Sequence, residues 1–244
     1  MIRALVVLPS YNERENLPSL IDELLTVQGV QGICVVDDSS PDGTARVLRA
    51  QLEVRASWQG RVHLIVRDKK DGRGGAVRDG FAWGLQQGFD AFNAFVEMDC
   101  DFSHEPRAVP MGLNLLEQGN DLVIGSRYPD GTIIGWPLRR RVFSFLANQF
   151  ARTLIDRSVP DYTNGFRFYT ARAARRLTEI PQKHKGYVYL SESLSYLLRE
   201  GMKVSTFPIV FKNRQRGVSN TNLHEILGAL KGILLIGLDH RGRR

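Results

Sequence analysis

Residues 33–44 read Ile33-Cys34-Val35-Val36-Asp37-Asp38-Ser39-Ser40-Pro41-Asp42-Gly43-Thr44, and an amphipathic pattern follows them as far as Leu52. The first four residues are apolar, which is typical of a short buried strand. The polar residues after them favour a tight turn and can cap the start of a helix. This stretch therefore predicts a strand, a turn and a helix, in that order.

The same unit recurs on both sides of this stretch, up to residue 125. The predicted strands are Ala4–Leu8, Ile33–Val36, Val62–Val66, Ala94–Met98 and Leu122–Ile124, and the predicted helices are Asn16–Leu25, Thr44–Leu52, Ala76–Gln87 and Ala108–Gln118. Strands and helices that alternate at this spacing predict an α/β fold, with a mostly parallel, Rossmann-like sheet and helices on both faces. Ligands bind such sheets at the carboxyl ends of the strands, so the residues after each strand are the candidates for a site.

The second half of the chain is less regular, with predicted helices at Leu138–Ile155 and Tyr187–Arg199 and a strand-like run at Val204–Phe211. No Pro-, Gly- or Ser-rich linker divides the chain, so we predict one domain over residues 1–221 and a C-terminal amphipathic helix over residues 222–244. The apolar residues of that helix recur at helical spacing: Leu223, Ile226, Leu227, Leu230, Ile233, Leu234 and Leu238. Such a stripe either lies on a membrane surface or packs on the domain, and the pattern fits both.

The 244-residue chain has a formal net charge of +7, which favours anionic partners such as phosphorylated ligands, acidic lipids or nucleic acid. The two cysteines, Cys34 and Cys100, lie in or beside apolar runs and give no disulfide framework, so we expect a reducing compartment. The N-terminus enters a strand directly and is not typical of a signal peptide. The stretch Ile226–Leu238 contains Lys231 and is shorter than the roughly 20 residues of a spanning helix, so we expect no such helix.

Two carboxylates, Asp99 and Asp101, follow the fourth predicted strand. Carboxylates with few His or Cys residues nearby favour Mg²⁺ or Mn²⁺ over zinc. A metal ion there could neutralise the charge on a nucleotide leaving group. A solvated acidic turn is the simpler interpretation of an isolated pair, but the position at the end of a central strand favours the metal site.

Three further features lie at predicted strand ends. Asp38 ends the second strand, where an acidic side chain can bind the base or ribose of a nucleotide. The glycine-rich residues 72–75 match neither a Walker loop nor a dinucleotide fingerprint, and they serve either donor contact or close helix packing. Arg127 follows the fifth strand, which makes it a candidate for phosphate binding.

Taken together, these residues resemble glycosyltransferase family 2, and within it the polyprenol-phosphate (dolichol-phosphate) mannosyltransferases. The segments that carry the resemblance are Pro9–Leu17, Asp37–Thr44, Met98–Pro106, Gly125–Tyr128, Gly135-Trp136, Thr163–Arg167, Lys185–Tyr187 and Pro208-Ile209. The resemblance implies a GT-A fold and a peripheral location on the cytoplasmic face of a membrane.

The resemblance also implies roles for individual residues. The nucleotide sugar would be bound by Pro9, Tyr11, Glu13, Val36, Asp38, Asp99, Cys100, Asp101, Ser103, Lys185, Arg214 and Asn220. Asp99 and Asp101 would bind Mg²⁺ or Mn²⁺, and Asp101 and Arg127 would act in catalysis. The acceptor phosphate would lie against Arg127, Arg140 and Ser144.

Three positions depart from the family pattern. Cys100 replaces the usual alanine between the two carboxylates, and Ser103 stands where some members have a metal-binding glutamine. Asn220 replaces a lysine in the segment Arg214–Asn220, where Arg216 could supply the missing cation.

The resemblance implies inverting transfer of mannose from GDP-mannose to dolichyl or polyprenyl phosphate. A lipid monophosphate, with a second pKa of about 6, is largely dianionic at pH 7, so its attack needs no enzyme base. This fits a chain without the E-D pair and Q-x-x-R-W segment that we associate with enzymes acting on sugar hydroxyls. The implied partners are the nucleotide sugar, the polyprenyl phosphate, a membrane surface and, as an option, a separate membrane-anchoring protein.

Two alternatives remain open at this point. One is transfer of glucose or another sugar to undecaprenyl phosphate. The other is a catalytically silent, nucleotide-sugar-binding subunit, which the replacement at Asn220 would allow. Nucleic acid is not expected as a partner, because no recognition motif accompanies the positive charge.

Overall fold

The computed structural model describes residues 1–184, 186, 188–213 and 223–242. The strands are β1 (Ala4–Ser10), β2 (Val30–Asp37), β3 (Val62–Val66), β4 (Ala94–Glu97), β5 (Leu122–Ser126), β6 (Thr132–Ile134), β7 (Arg167–Thr170), β8 (Val204–Pro208) and β9 (Val210–Lys212). The helices are α1 (Leu17–Leu25), α2 (Thr44–Val54), α3 (Arg73–Gln86), α4 (Val109–Glu117), α5 (Leu138–Leu154), α6 (Ala171–Glu179), α7 (Val188–Arg199) and α8 (Leu223–Gly242).

In this part of the chain, seven strands form one sheet in the order β3-β2-β1-β4-β7-β5-β8. Neighbouring strands pair in parallel except β7, which is antiparallel to both β4 and β5. Strands β6 and β9 form a separate parallel pair. The predicted α/β fold with a mostly parallel sheet is confirmed.

The strand register brings the polar loops to one edge of the sheet. Ser10 pairs with Asp37, and Asp37 pairs with Val66, so β1, β2 and β3 end at the same level. Strand β4 ends at Glu97, next to Val7 of β1. The residues that follow these four strands therefore meet at the edge where the sequence placed the site.

Alternate residues of β1 point to two different core layers. Val6 and Leu8 pack with residues of α1, α2 and α4, whereas Leu5 and Val7 pack with residues of α3, α6, α7 and α8. A Cβ atom at Gly80 of α3 would overlap the side chain of Val7. Glycine at that position lets α3 lie directly on the sheet.

Three elements were not predicted, namely β6, β7 and α6. The single predicted strand at Val204–Phe211 is in fact two, because the chain leaves the main sheet at Ile209 and continues as β9 in the small sheet. Helix α3 begins at Arg73 rather than at Ala76, so the glycine-rich residues form its first turn. A Cβ atom at Gly74 would overlap the ring of Tyr189, which agrees with close packing as one use of these glycines.

Helix α8 packs on α5 and α7. Ile233 and Ile236 are buried, and the Nδ1 atom of His240 lies 2.9 Å from the hydroxyl oxygen of Ser195. Of the two interpretations of the apolar stripe, this part of the helix therefore packs on the domain, although Leu234 remains exposed. Within the described residues, no helix combines the length and the apolar character needed to span a membrane.

Candidate active site

The carboxylate of Asp38 binds the loop that follows β3. It accepts hydrogen bonds from the backbone N–H groups of Asp71 at 3.1 Å and Gly72 at 2.9 Å, and from Arg67 Nη1 at 2.7 Å. Asp38 was predicted to bind the nucleotide. In this structure its carboxylate shapes the loop beside the predicted nucleotide site.

Other predicted nucleotide residues lie at the same edge. The Nζ atom of Lys70 lies 3.5 Å from the centroid of the Tyr11 ring, and the carboxylate of Glu13 accepts a hydrogen bond of 2.7 Å from Asn16 Nδ2. The side chain of Val36 is completely buried in the core. A ligand could therefore reach Val36 only through its backbone.

Cys100 connects the ends of β4 and β1. Its thiol donates a hydrogen bond to the carbonyl oxygen of Pro9, with an S···O distance of 3.3 Å. Burial raises the pKa of Cys100 well above its usual value, so the thiol keeps the proton that it donates. The alanine of the family pattern could not make this bond.

Asp99 lies beside an arginine and a buried carboxylate. Arg73 donates from Nε to Glu97 at 2.8 Å, from Nη1 to Asp99 Oδ1, and from Nη2 to the carbonyl oxygen of Gly165 at 3.1 Å. Glu97 is completely buried, and its other oxygen accepts a hydrogen bond of 3.1 Å from the Tyr169 hydroxyl. This network fixes the position of Asp99, one of the two predicted metal ligands.

The second predicted metal ligand, Asp101, is bound by its neighbour. Its Oδ1 atom accepts hydrogen bonds from the backbone N–H of Ser103, at 3.1 Å, and from the Ser103 hydroxyl. The chain turns sharply here, since Phe102 between them has a φ of 59°. Ser103 therefore holds the carboxylate of Asp101 in place through two hydrogen bonds.

The carboxylates of Asp99 and Asp101 have the ligand chemistry that a divalent cation prefers. They are two ligands only, since among the described residues there is no group of three or more His, Cys, Asp or Glu side chains able to bind a metal ion. Asp99 and Asp101 offer two carboxylates at the end of β4, and Mg²⁺ or Mn²⁺ commonly takes its other ligands from water and phosphate oxygens. The arrangement suits a cation that binds together with a nucleotide diphosphate.

His104 connects this site to the end of β5. Its Nδ1 atom accepts the backbone N–H of Asp99 at 3.1 Å, and its Nε2 atom lies 2.9 Å from Asn164 Oδ1, so the proton resides on Nε2. Asn164 in turn donates to the carbonyl oxygen of Gly125. Burial lowers the pKa of His104, which keeps the ring neutral and in one tautomer.

Arg127, which was predicted to bind phosphate, is buried and ion-paired. It binds both carboxylate oxygens of Asp161 at 2.9 Å, and its Nη2 atom also donates to the Thr163 hydroxyl at 2.6 Å. Burial alone would raise the pKa of Asp161, but the charge and the hydrogen bonds of Arg127 lower it below its usual value. The pair therefore stays charged at neutral pH.

The three predicted acceptor residues lie around Trp136 and Tyr128. The guanidinium carbon of Arg140 lies 4.0 Å from the centroid of a Trp136 ring, and that of Arg127 lies 5.6 Å from it. The Tyr128 hydroxyl donates to the Ser144 hydroxyl at 3.2 Å. In the part of the chain that the structure describes, the buried Nε1–H of Trp136 has no hydrogen-bond acceptor.

Three predicted donor residues, Lys185, Arg214 and Asn220, lie outside the described residues, as does Arg216.

The chain matches glycosyl transferase family 2 over residues 5–178. It belongs to this family. This family 2 glycosyltransferase is 37% identical, over 242 residues, to a polyprenol monophosphomannose synthase of Mycolicibacterium smegmatis, in a match that spans 99% of this chain and 88% of that protein. It is 36% identical over 219 residues to an undecaprenyl-phosphate mannosyltransferase of Micrococcus luteus, in a match that spans 89% of this chain and 87% of that protein.

Solved structures share the fold of this family 2 glycosyltransferase. The glucosyl-3-phosphoglycerate synthase from Mycobacterium tuberculosis, in complex with Mn²⁺, uridine diphosphate and glucosyl-3-phosphoglycerate, superposes with a TM-score of 0.68. That match covers 99% of this chain and 80% of the other at 22% sequence identity. The expected GT-A fold is confirmed.

Sequence reasoning missed several residues of this glycosyltransferase. Arg73 lies in the glycine-rich stretch, but nothing in the sequence indicated its pairing with Glu97 or Asp99. Asp161 lies two residues before the recognised Thr163–Arg167 segment, and that proximity is the one signal that could have identified it. Trp136 belonged to a recognised segment but had no assigned role.

Proposed function

We propose that this glycosyltransferase transfers mannose from GDP-mannose to polyprenyl or dolichyl phosphate, with inversion at the anomeric carbon. The observation that carries the proposal is the similarity, over 99% and 89% of this chain, to relatives named for polyprenol monophosphomannose synthesis and for mannosyl transfer to undecaprenyl phosphate. The product would be polyprenyl phosphate mannose.

The acceptor phosphate would bind where α5 approaches Trp136. Arg140 and Ser144 are four residues apart on α5 and therefore lie on the same side of that helix. The hydroxyl of Tyr128 donates to that of Ser144, so a guanidinium and two hydroxyls lie on this side of α5. Such donors suit a phosphate monoester, for which arginine is a common partner.

Arg127 would act behind this site. Its charge is balanced by Asp161, and its guanidinium carbon lies 5.7 Å from the Tyr128 ring and 5.6 Å from a Trp136 ring. The sequence predicted a catalytic and phosphate-binding role for Arg127. The burial of its guanidinium favours instead a role in positioning the two aromatic rings against the acceptor.

The reaction would need no general base. A phosphate monoester with a second pKa of about 6 is largely deprotonated at neutral pH and is itself the nucleophile. One of its oxygens would form a bond to the anomeric carbon while the bond from that carbon to the donor diphosphate breaks on the opposite side. This displacement inverts the configuration.

The charge that develops on the departing diphosphate would be stabilised at the end of β4. Asp99 and Asp101 would bind Mg²⁺ or Mn²⁺, which, when bound, neutralises phosphate charge in the transition state. By resemblance, Lys185 and Arg214 would contribute donor contacts, and Asn220 would stand where the family has a cation. Tyr11 and Glu13 would bind the nucleoside.

We also propose that the protein binds peripherally to the cytoplasmic face of a membrane through one apolar face. This face consists of large side chains on α5 and α8 that are 36–74% exposed, namely Leu138, Val142, Phe143, Phe145, Leu146, Phe150, Leu234, Leu235 and Leu238. Exposed apolar patches of this kind mark interaction sites, and the exposed Arg139 and Arg141 on the same helix suit anionic lipid headgroups. A separate membrane-anchoring protein would be an additional partner.

One assay tests the function. The purified protein is given polyprenyl phosphate in detergent, Mg²⁺ or Mn²⁺, and in parallel GDP-mannose, UDP-glucose or other nucleotide sugars. We expect mannosyl lipid from GDP-mannose only, with the inverted anomeric configuration in the proton NMR spectrum of the product. Transfer from another donor, or nucleotide binding without any transfer, would contradict the proposal in favour of the glucosyl or the silent alternative.

A further inference from the structure

Arg73 is the first residue of α3, and its guanidinium reaches three separate parts of the fold. Its Nε atom donates to Glu97 Oε1 at 2.8 Å, its Nη1 atom to Asp99 Oδ1, and its Nη2 atom to the carbonyl oxygen of Gly165 at 3.1 Å. These acceptors belong to β4, to the loop after β4 and to the segment that leads into β7. One planar group thus fixes the relative position of all three.

Arg73 forms ion pairs with two carboxylates, those of Glu97 and Asp99. The side chain of Glu97 is completely buried, and burying a carboxylate is costly unless it is paired and hydrogen-bonded. The side chain of Asp99 is 21% exposed and lies at the surface of the donor site. A counter-ion required only for Glu97 would not need to reach out to Asp99 as well.

The backbone around Arg73 makes room for its side chain. Gly72, directly before it, has a φ of 88°, a conformation that favours glycine. A Cβ atom at Gly165 would overlap Nη2 of Arg73, so the guanidinium occupies space that a side chain at that position would need. The backbone at Gly165 therefore leaves room for the guanidinium.

We infer that Arg73 is a positioning residue of the donor site. It binds Asp99 Oδ1 and thereby orients that carboxylate for the divalent cation and the donor diphosphate. The inference rests on the proposed function in one respect only, namely that the donor is a nucleoside diphosphate sugar bound with a divalent cation.

The test separates this role from simple neutralisation of Glu97. Arg73→Met leaves Glu97 buried without its cation, so we expect a lower melting temperature as well as weaker binding of GDP in the presence of Mn²⁺. The double variant Arg73→Met/Glu97→Gln removes both charges, and the amide oxygen introduced in place of the carboxylate can still accept from Tyr169. We expect it to regain the melting temperature but to bind GDP–Mn²⁺ at least about tenfold more weakly than the unaltered protein in calorimetry, the scale seen when a partner of a metal ligand is lost.

Arg73→Lys is the second test, and it does not depend on the stability of the double variant. Lysine keeps the positive charge but has one nitrogen in place of the three that contact Glu97, Asp99 and Gly165. We expect near-normal stability together with weaker GDP–Mn²⁺ binding. The Mn²⁺ signal in electron paramagnetic resonance, followed during titration with protein and GDP, reports the same loss without any turnover.

Arg78→Met is the matched control, because Arg78 lies on the same helix and donates to the carbonyl oxygen of Thr178 at 2.9 Å. We expect this variant to bind GDP–Mn²⁺ as the unaltered protein does. Normal GDP–Mn²⁺ binding by the double variant or by Arg73→Lys would overturn the inference. If the unaltered protein binds UDP–Mn²⁺ but not GDP–Mn²⁺, the proposed donor is wrong, and the Arg73 comparison is then made with UDP.

Discussion

The two sides of the site are built in different ways. On the proposed donor side, at the ends of β1 to β4, the carboxylates of Asp38, Asp99 and Asp101 each accept hydrogen bonds from neighbouring groups. On the proposed acceptor side, α5 has just two buried residues among its seventeen, Asn148 and Ala151. Polar groups organise the first side, and a helix with many exposed side chains forms the second.

The difference follows from how the two proposed substrates arrive. A nucleotide sugar comes from water with its charges exposed, so its site gains from carboxylates and N–H groups that are already in place. A polyprenyl phosphate stays in a membrane and brings a charged end on an apolar chain. Its site gains from cations and hydroxyls next to a surface that can enter the lipid interface.

The largest effect is expected on the donor side. Asp101→Asn should lower turnover at least about 100-fold, because the stabilisation of charge on the departing diphosphate is lost. Initial rates with GDP-mannose at saturating Mg²⁺ or Mn²⁺ measure this loss of turnover. Excess chelator should lower the turnover of the unaltered protein to a similar extent. Asp130→Asn, at an exposed position, is the control and should be nearly normal. Full activity in excess chelator would contradict a role for a metal ion on the donor side.

An intermediate effect is expected where the acceptor phosphate meets α5. Arg140→Ala should lower kcat/KM for polyprenyl phosphate by about 10- to 100-fold, the range for a charged hydrogen bond, and leave the Kd for GDP within about twofold. Steady-state kinetics with the lipid varied, together with calorimetry for GDP, separate the two sides. Arg139→Ala removes a neighbouring exposed cation and should have a small effect. Equal losses in both variants would mean that α5 offers general positive charge rather than a phosphate site.

The smallest effect is expected at the apolar face. Phe143→Glu combined with Leu146→Glu should weaken cosedimentation with anionic liposomes about tenfold, because two exposed apolar side chains would no longer enter the interface. The Kd for GDP should not change. Phe89→Glu, at an exposed position far along the chain from α5, is the matched control. Unchanged cosedimentation of the double variant would show that this face has another use.

The fold was largely predictable, and a candidate site could be proposed, because the signals for both are local. An apolar run such as Ala94–Met98 followed by Asp99 indicates both the strand and the place where ligands bind. The strand β7 had no such signal, since its residues Arg167–Thr170 do not alternate and its pairing is with strands distant in the chain.

The detailed use of charges was not predictable. Arg127 was recognised as a cation at a strand end, but its partner Asp161 is 34 residues away, and the sequence gives no distance between them. The same holds for Arg73 and Asp99, which are 26 residues apart. Val36 was expected at the nucleotide; β2 is buried on both faces, so the side chain of Val36 lies in the core and only its backbone could reach a ligand.

The position of β7 has a consequence for the order in which the chain folds during synthesis. Strands β1 to β4 are neighbours of one another in the order β3-β2-β1-β4, so they can assemble as they leave the ribosome. Within the described sheet, strand β5 pairs only with β7 and β8, both of which are made later. Until Thr170 has emerged, β5 and one edge of β4 therefore have no strand partner from this sheet. During that interval β5 and the free edge of β4 are open to pairing with other chains.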